Sequence, residues 1–298
     1  MTFKQVFGLF KAAANSWIDD YAPSMGAALA YYTAFSAAPL LLIVISVAGL
    51  IFGVEAAQGE IFGQLRGLMG DDGAQAVQGL LESVSKPSEG IAGAITGAVL
   101  LLVGATTVFA ELQADLDRIW RAPAKDAYTG IWGLLRARLL SFGMILGIGF
   151  LLTISLVLSA GVAAFGKWWG PVFGGWEALA HVLNALLSFV LVTTVFAMIY
   201  KIMPRVKIAW RDVWIGAAVT SLLFTIGKFL IGLYIGKSGV TSGFGAAGSL
   251  VVLLVWVYYS AQIFLLGAEF TRAYSHQFGS RKGEAEQPAP AATQPAEA

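Results

Sequence analysis

Six long stretches of this chain carry almost no charge, and they limit what it can fold into more than any other feature. Residues 21–54, 90–110, 139–166, 178–200 and 238–268 contain no Asp, Glu, Lys or Arg, and 213–236 contains only Lys228. A helix needs about 20 apolar residues to cross the hydrocarbon core of a bilayer, and buried helices of soluble domains rarely stay uncharged for so long. Composition points the same way: 57% of the 298 residues are hydrophobic and 12% are charged, against roughly 25% charged in a soluble domain. A soluble enzyme, a disordered chain and a nucleic-acid-coating protein are disfavoured. The pattern predicts an all-α polytopic membrane protein with six transmembrane helices and the lipid bilayer as its first partner.

Basic residues set the expected orientation. Fourteen of the nineteen Lys and Arg fall in the N-terminal segment, in the connections after the second and fourth spans, and at the C-terminus. The positive-inside rule then places both termini in the cytoplasm. Residues 1–20 have no secretory-signal pattern. Phe3, Val6, Phe7, Phe10, Ala14 and Trp17 recur at helical spacing, which predicts an amphipathic helix lying in the membrane interface. The membrane domain is expected over 21–275. Residues 55–89 form an external loop in which Ile61, Leu65, Leu68 and Met69, then Val77, Leu80, Leu81 and Val84, repeat at helical spacing, predicting one or two amphipathic helices on the outer face. The Glu-, Pro- and Ala-rich residues 276–298 predict a disordered cytoplasmic tail.

Polar groups at membrane depth cost several kcal/mol, with estimates from about 2.5 to 3.5 upward, so each is a functional candidate. In the first span, Tyr31, Tyr32, Thr33 and Ser36 precede Pro39. Proline removes a backbone donor and tends to kink a helix, so this segment is expected to face the bundle interior and line a pathway. Glu111 and Asp115 share a face beyond the second span, with Arg118 in reach to neutralise Asp115; a solvated helix end is the simpler alternative. His181 and Asn184 share a face with Ser188 in the fourth span. Tyr258, Gln262 and Glu269 share one in the sixth, where Glu269 is placed to pair with Arg272. Lys228 lies eight residues before Gly236, about 12 Å along a helix at 1.5 Å per residue. It either snorkels to the interface or draws an anionic group into a polar cavity. The pairs Gly93 and Gly97, Gly143 and Gly147, and Gly232 and Gly236 have the spacing that lets membrane helices approach closely.

Several chemistries lack their residues. There is no phosphate-binding glycine loop ending in Lys and Ser or Thr, no Gly-x-Ser-x-Gly elbow and no cysteine, and the two histidines, His181 and His276, are far apart. No cofactor, no metal site, no nucleic-acid partner and no enzymatic activity are expected.

A set of short motifs in fixed order carries a resemblance. The C-terminal half has Tyr200-Lys201, Pro204, Trp210-Arg211-Asp212, Gly216-Ala217, Leu233-Tyr234, Phe244-Gly245, Gly248-Ser249, Trp256-Val257-Tyr258, Ser260 and Leu265-Leu266-Gly267-Ala268-Glu269. The N-terminal half adds Ala28-Leu29-Ala30-Tyr31-Tyr32, Phe35, Pro39 and Ile119-Trp120. Together these resemble the YihY/BrkB family of bacterial inner-membrane proteins, from about Phe3 to Tyr274. The resemblance implies a six-helix protein of the bacterial cytoplasmic membrane. It also implies that the ribonuclease label some members have carried is a misassignment. It supplies no catalytic residues. Three functions are expected in order: a transporter or flippase-like protein for a lipid or amphipathic solute of the envelope, a non-transporting scaffold for envelope proteins, and, last, a membrane-bound ribonuclease.

Overall fold

The computed structural model describes residues 2–84, 90–123, 176–238 and 248–284, with positions 143, 144, 147, 149 and 151 between them. All regular structure among the described residues is helical: α1 (Phe3–Asp19), α2 (Ala22–Phe52), α3 (Val54–Val84), α4 (Gly90–Ile119), α5 (Trp176–Ile202), α6 (Trp210–Ser238) and α7 (Gly248–Gln277). Four segments are long and apolar enough to cross a membrane, namely Ala22–Leu50, Val182–Ile202, Trp210–Ile235 and Leu250–Gln277. The uncharged residues 90–110 lie within α4. Residues 139–166 lie outside the described residues except at five positions. On α5 and α6 a belt of apolar side chains stays exposed, including Val182, Leu186, Val190, Leu222, Ile226 and Phe229. A soluble surface would not tolerate so continuous a patch, whereas hydrocarbon favours it.

Helix α7 is the hub, touching α1, α2, α3, α4 and α6. Its pairing with α6 is close because glycines alternate with threonines across the contact. A side chain at Gly216 would overlap Thr271, and one at Gly267 would overlap Thr220 and the Tyr200 hydroxyl. Gly227 likewise receives Ile263 and Tyr259. Backbone approach of this kind is the main packing device where lipid and side chain are equally apolar. Of the glycines expected to do this, Gly147 meets the Met198 methyl at 3.1 Å, while Gly143 and Gly232 have no neighbouring atom within 4 Å among the described residues. Spacing alone does not say which side of a helix its neighbour occupies. The partners of Gly93, Gly97 and Gly236 lie outside the described side chains.

Helix α2 enters through Tyr21, which adopts left-handed backbone angles, and has Pro23 in its first turn, where the missing N–H has no helical partner in any case. It runs as one helix through Pro39. The Pro39 ring sits against Gly104 of α4, 3.1 Å from where a Cβ would lie. With α3, α4 and α7 all packed on it, α2 is an interior helix, as the proline suggested.

Helix α3 is broken at Gly70 (φ 79°, ψ 178°), an angle pair that only glycine adopts readily. Its two arms bury Phe62, Ala76, Val77 and Leu81 with Ile45 of α2 and Leu253 of α7. Two helical arms with a buried apolar side are present where one or two amphipathic helices were expected.

Two terminal segments dock more firmly than expected. Helix α1, capped by the Gln5 side chain accepting from the Thr2 N–H at 2.8 Å, buries Leu9 and Ala13 against Phe270 and Tyr274 of α7, and Phe10 stacks on Phe270 with centroids 4.9 Å apart. Its apolar positions therefore split. Val6, Leu9, Phe10, Ala13 and Trp17 turn toward protein, while Phe3, Phe7 and Ile18 remain exposed. At the other terminus, the part of the expected tail that is described is fixed. Ser280 donates to the Asp212 carboxylate from its N–H (2.9 Å) and its hydroxyl (2.6 Å), because Asp212 is buried at the start of α6 and needs donors.

Candidate functional site

The polar residues divide between two places, a cavity in one half of the bundle and a network of buried charges at the opposite end. The cavity is half-open, with a volume of about 570 Å³. Six helices contribute to its wall: Leu29 and Thr33 from α2, Gln64 and Gly67 from α3, Val108 and Leu112 from α4, Ser188 and Phe196 from α5, Phe224 and Lys228 from α6, and Ser260 and Phe264 from α7. Apolar side chains make most of the lining, and Lys228 is its one cation among the described residues. Lys228 forms no ion pair among the described residues. A pocket of this size, apolar with a few polar groups, is the usual form of a small-molecule site.

Of the other candidates, few reach the cavity. Tyr31 is 57% exposed and packs edge-on to Tyr32 and against Phe35 on the outside of α2. The expectation that this whole segment turns inward is therefore corrected. Only Thr33 and the buried Ser36, three residues apart, do so, because a helix separates neighbours by 100° and cannot aim Tyr31, Tyr32 and Thr33 at one place. Tyr258 is exposed, while Gln262, four residues on, lays its amide over Gly26 of α2 and Glu269 is 1% exposed at the far end. Asn184 is exposed although Ser188 lines the cavity, and the His181 side chain lies outside the described ones. Gln64 and Gly67 were not among the expected site residues, since nothing in the sequence of an amphipathic loop says which helix it folds across.

The opposite end collects the basic connections. Asp20, 2% exposed at its side chain, accepts from Arg121 Nη1 at 2.7 and 2.8 Å, and Arg121 Nη1 also donates to the Arg118 carbonyl at 3.0 Å. The two non-glycine residues with left-handed backbone angles among the described residues are Arg121 (φ 53°) and Tyr21 (φ 57°), the neighbour of Asp20. Such angles are unfavourable for non-glycine residues and persist where surrounding contacts hold them. Here the buried charge pair is that contact. The sequence reading missed it, because Asp20 and Arg121 are 101 residues apart and each looks like an ordinary helix-end charge.

Close by, Asp117 accepts from the Arg205 N–H at 2.8 Å and pairs with its Nε at 3.2 Å, and Gln113 donates to the Met203 carbonyl at 2.9 Å. Lys201 donates to the Ile208 carbonyl and lies over the Trp210 ring. Glu269 lies 3.9 Å from Arg272, so the expected pairing is present. Inside the bundle, the Tyr200 hydroxyl donates to the Phe264 carbonyl at 2.7 Å and sits 3.1 Å from Thr220 Oγ1.

Asp115 departs from expectation. It is buried rather than solvated, and Arg118, exposed and over the Tyr21 ring, makes no ion pair with it among the described residues. Burial first, then the negative charge of Glu111, push the Asp115 carboxyl up to about 7, with Arg118 opposing. Burial raises Asp117 too, against the pull of the Arg205 N–H and guanidinium.

The family described as "Virulence factor BrkB" matches residues 13–292. A Pseudomonas aeruginosa protein called "UPF0761 membrane protein" is 29% identical over 263 residues, covering 86% of this chain and 60% of that protein. One of the same name from Psychromonas ingrahamii is 28% identical over 260 residues, covering 82% and 79%. A third, from Tolumonas auensis, is 28% identical over 177 residues, covering 59% and 55%. The chain thus spans about 60% of the length of the Pseudomonas relative. No solved structure matches.

Proposed function

This membrane protein belongs to the Virulence factor BrkB family, and from that membership we propose that it moves a lipid or amphipathic solute of the envelope across the bacterial cytoplasmic membrane. In this reading the chain spans the membrane six times with both termini inside. The observation that carries the reading is the half-open cavity of about 570 Å³ with apolar walls and Lys228 among a few hydroxyl and amide groups. Apolar walls suit acyl or other greasy substituents. A cation beside mostly apolar walls favours an anionic head on a greasy molecule, since opposite charges attract and acyl groups suit the walls.

The test is flux in proteoliposomes loaded with a fluorescent anionic phospholipid in one leaflet. The wild type is expected to equalise the leaflets, and Lys228→Ala to slow this at least about tenfold while the protein stays folded. A wild type that moves no probe, or a Lys228→Ala variant as fast as the wild type, overturns the reading.

A scaffold for envelope proteins is the second reading, and α3 favours it. Its apolar side is buried while Glu55, Arg66, Asp71 and Glu82 stay exposed. It predicts a stoichiometric partner that is lost when these four charges are reversed. We treat the protein as a non-enzyme. The acids a nuclease would need are otherwise engaged, Asp117 by Arg205 and Asp115 by burial beside Glu111.

A further inference from the structure

The network of buried charges borders a second cavity of about 430 Å³, separate from the one around Lys228. Among the described residues its wall holds five cations, Arg121, Arg205, Lys207, Arg272 and Arg281, against one acid, Glu284. They come from four segments: the residues just after α4, the α5–α6 connection, the C-terminal part of α7 and the docked residues after it. Much of this charge is balanced, by Asp20 at Arg121, Asp117 at Arg205, Glu269 at Arg272 and, at 3.8 Å, Glu284 at Arg281. Two features leave binding capacity toward the cavity. Lys207 is exposed and makes no ion pair among the described residues. Arg121 is nine-tenths buried at its side chain, and its Nε has no hydrogen-bond partner among the described residues.

The frame is rigid. Arg281 donates to the Lys207 carbonyl at 3.2 Å and stacks on Trp120, so the residue after α7 and the α5–α6 connection are held at a fixed separation. Guanidinium groups fixed around a concave space match the oxygen geometry of phosphate, and pockets of Lys and Arg between membrane helices suit phosphorylated headgroups.

We propose that this cavity is a binding site for a phosphate-bearing anion, either the headgroup of an anionic membrane lipid or a soluble phosphate. The site does not depend on transport through the Lys228 cavity. Its contribution comes from Arg121 and the guanidinium and ammonium groups of Arg281 and Lys207, with Glu284 opposing. A bound phosphate would bridge the end of α4 to the α5–α6 connection and the C-terminal segment, three parts otherwise linked by the Arg281 contacts and the Asp117–Arg205 pair.

The experiment uses the full chain in nanodiscs. Binding is read by native mass spectrometry in phosphatidylcholine discs carrying a minor share of phosphatidylglycerol. Inorganic phosphate is titrated separately against a chloride control of equal ionic strength, with thermal unfolding as the readout. The variants are Lys207→Glu, whose side chain has no structural partner, and Glu284→Gln. At about one unit of surface-charge attraction per residue, reversing Lys207 is expected to weaken binding roughly ten- to thirtyfold, and Glu284→Gln to strengthen it a few-fold. A purely structural role for these side chains would not improve binding on removal of an acid. Retention of phosphatidylglycerol sensitive to both variants, without a phosphate effect, identifies a lipid headgroup. A phosphate shift sensitive to both, without lipid retention, identifies a soluble anion. If neither ligand binds, or if both variants bind like the wild type, the proposal is overturned.

Discussion

At the basic end, side chains reach from one helix to another: Arg121 to Asp20, Arg205 to Asp117, Gln113 to the Met203 carbonyl, Ser280 to Asp212. Away from that end, the hydroxyls of Ser46, Thr107, Thr194 and Thr225 bond instead to the carbonyl one turn back on their own helix. A hydroxyl satisfied within its own helix leaves that helix free to shift against its neighbours, whereas a buried charge pair between segments fixes both. The cavity with Lys228 lies in the loosely tied half, and the glycine–threonine contact of α6 and α7 begins toward the tied one. A bundle clamped at one end and open at the other can change its cavity without losing its core, which is what the transport reading requires.

The contrast can be broken at its strongest point first. Arg121→Ala leaves Asp20 buried and uncompensated and is expected to cost about 3–5 kcal/mol in reversible unfolding in detergent. Replacing both residues with apolar ones should recover most of it. A loss below about 1 kcal/mol would mean that the pair is not what holds this end. Next, Gly267→Ala forces a methyl into Thr220 and Tyr200 and is expected to cost about 1–3 kcal/mol. Combining it with Thr220→Ala should return part of that, as touching sites are not additive. Additive losses would argue against the contact.

Asp115 sharpens the comparison through pH. Its folded pKa, about 7, is above the ordinary carboxylate value of 3.8, so the folded state holds its proton longer than the unfolded state does. Stability on this account is highest below about pH 4, falls between about 4 and 7, and levels off above 7. Asp115→Asn should remove that fall and stabilise the protein at pH 8 by something on the order of 1–2 kcal/mol. Parallel melting-temperature profiles for the two proteins between pH 5 and 8 would refute it. Smallest of all is Lys228→Ala. With an exposed side chain and no ion pair among the described residues, it should change stability by less than about 0.5 kcal/mol, while flux falls as described above. A large stability loss would make Lys228 part of the clamp instead.

Much of the fold was legible because its causes are local. Charge-free length marked the four segments that are long and apolar enough to cross a membrane, Pro39 marked a helix packed on several others, and the repeat in 55–89 marked the two arms of α3. Lys228 was legible for the same reason, since one charge in an apolar stretch stands out whatever surrounds it. The inward turn of Tyr31 and the choice of packing glycines were not legible. Both depend on which direction a helix faces, and an almost uniformly apolar helix such as α2 or α6 has little periodicity to reveal it.

By itself the sequence determined that this chain is helical and membrane-bound, and that its basic connections gather at one end, since hydrocarbon admits only apolar segments with satisfied backbones. Only the tertiary structure decided that Asp20 meets Arg121, that Gln64 of α3 joins Lys228 in one cavity, and that five cations surround another. Those meetings depend on the rotation and register of helices distant in sequence, and these are set by the fit of glycine against threonine and proline, which no single segment encodes.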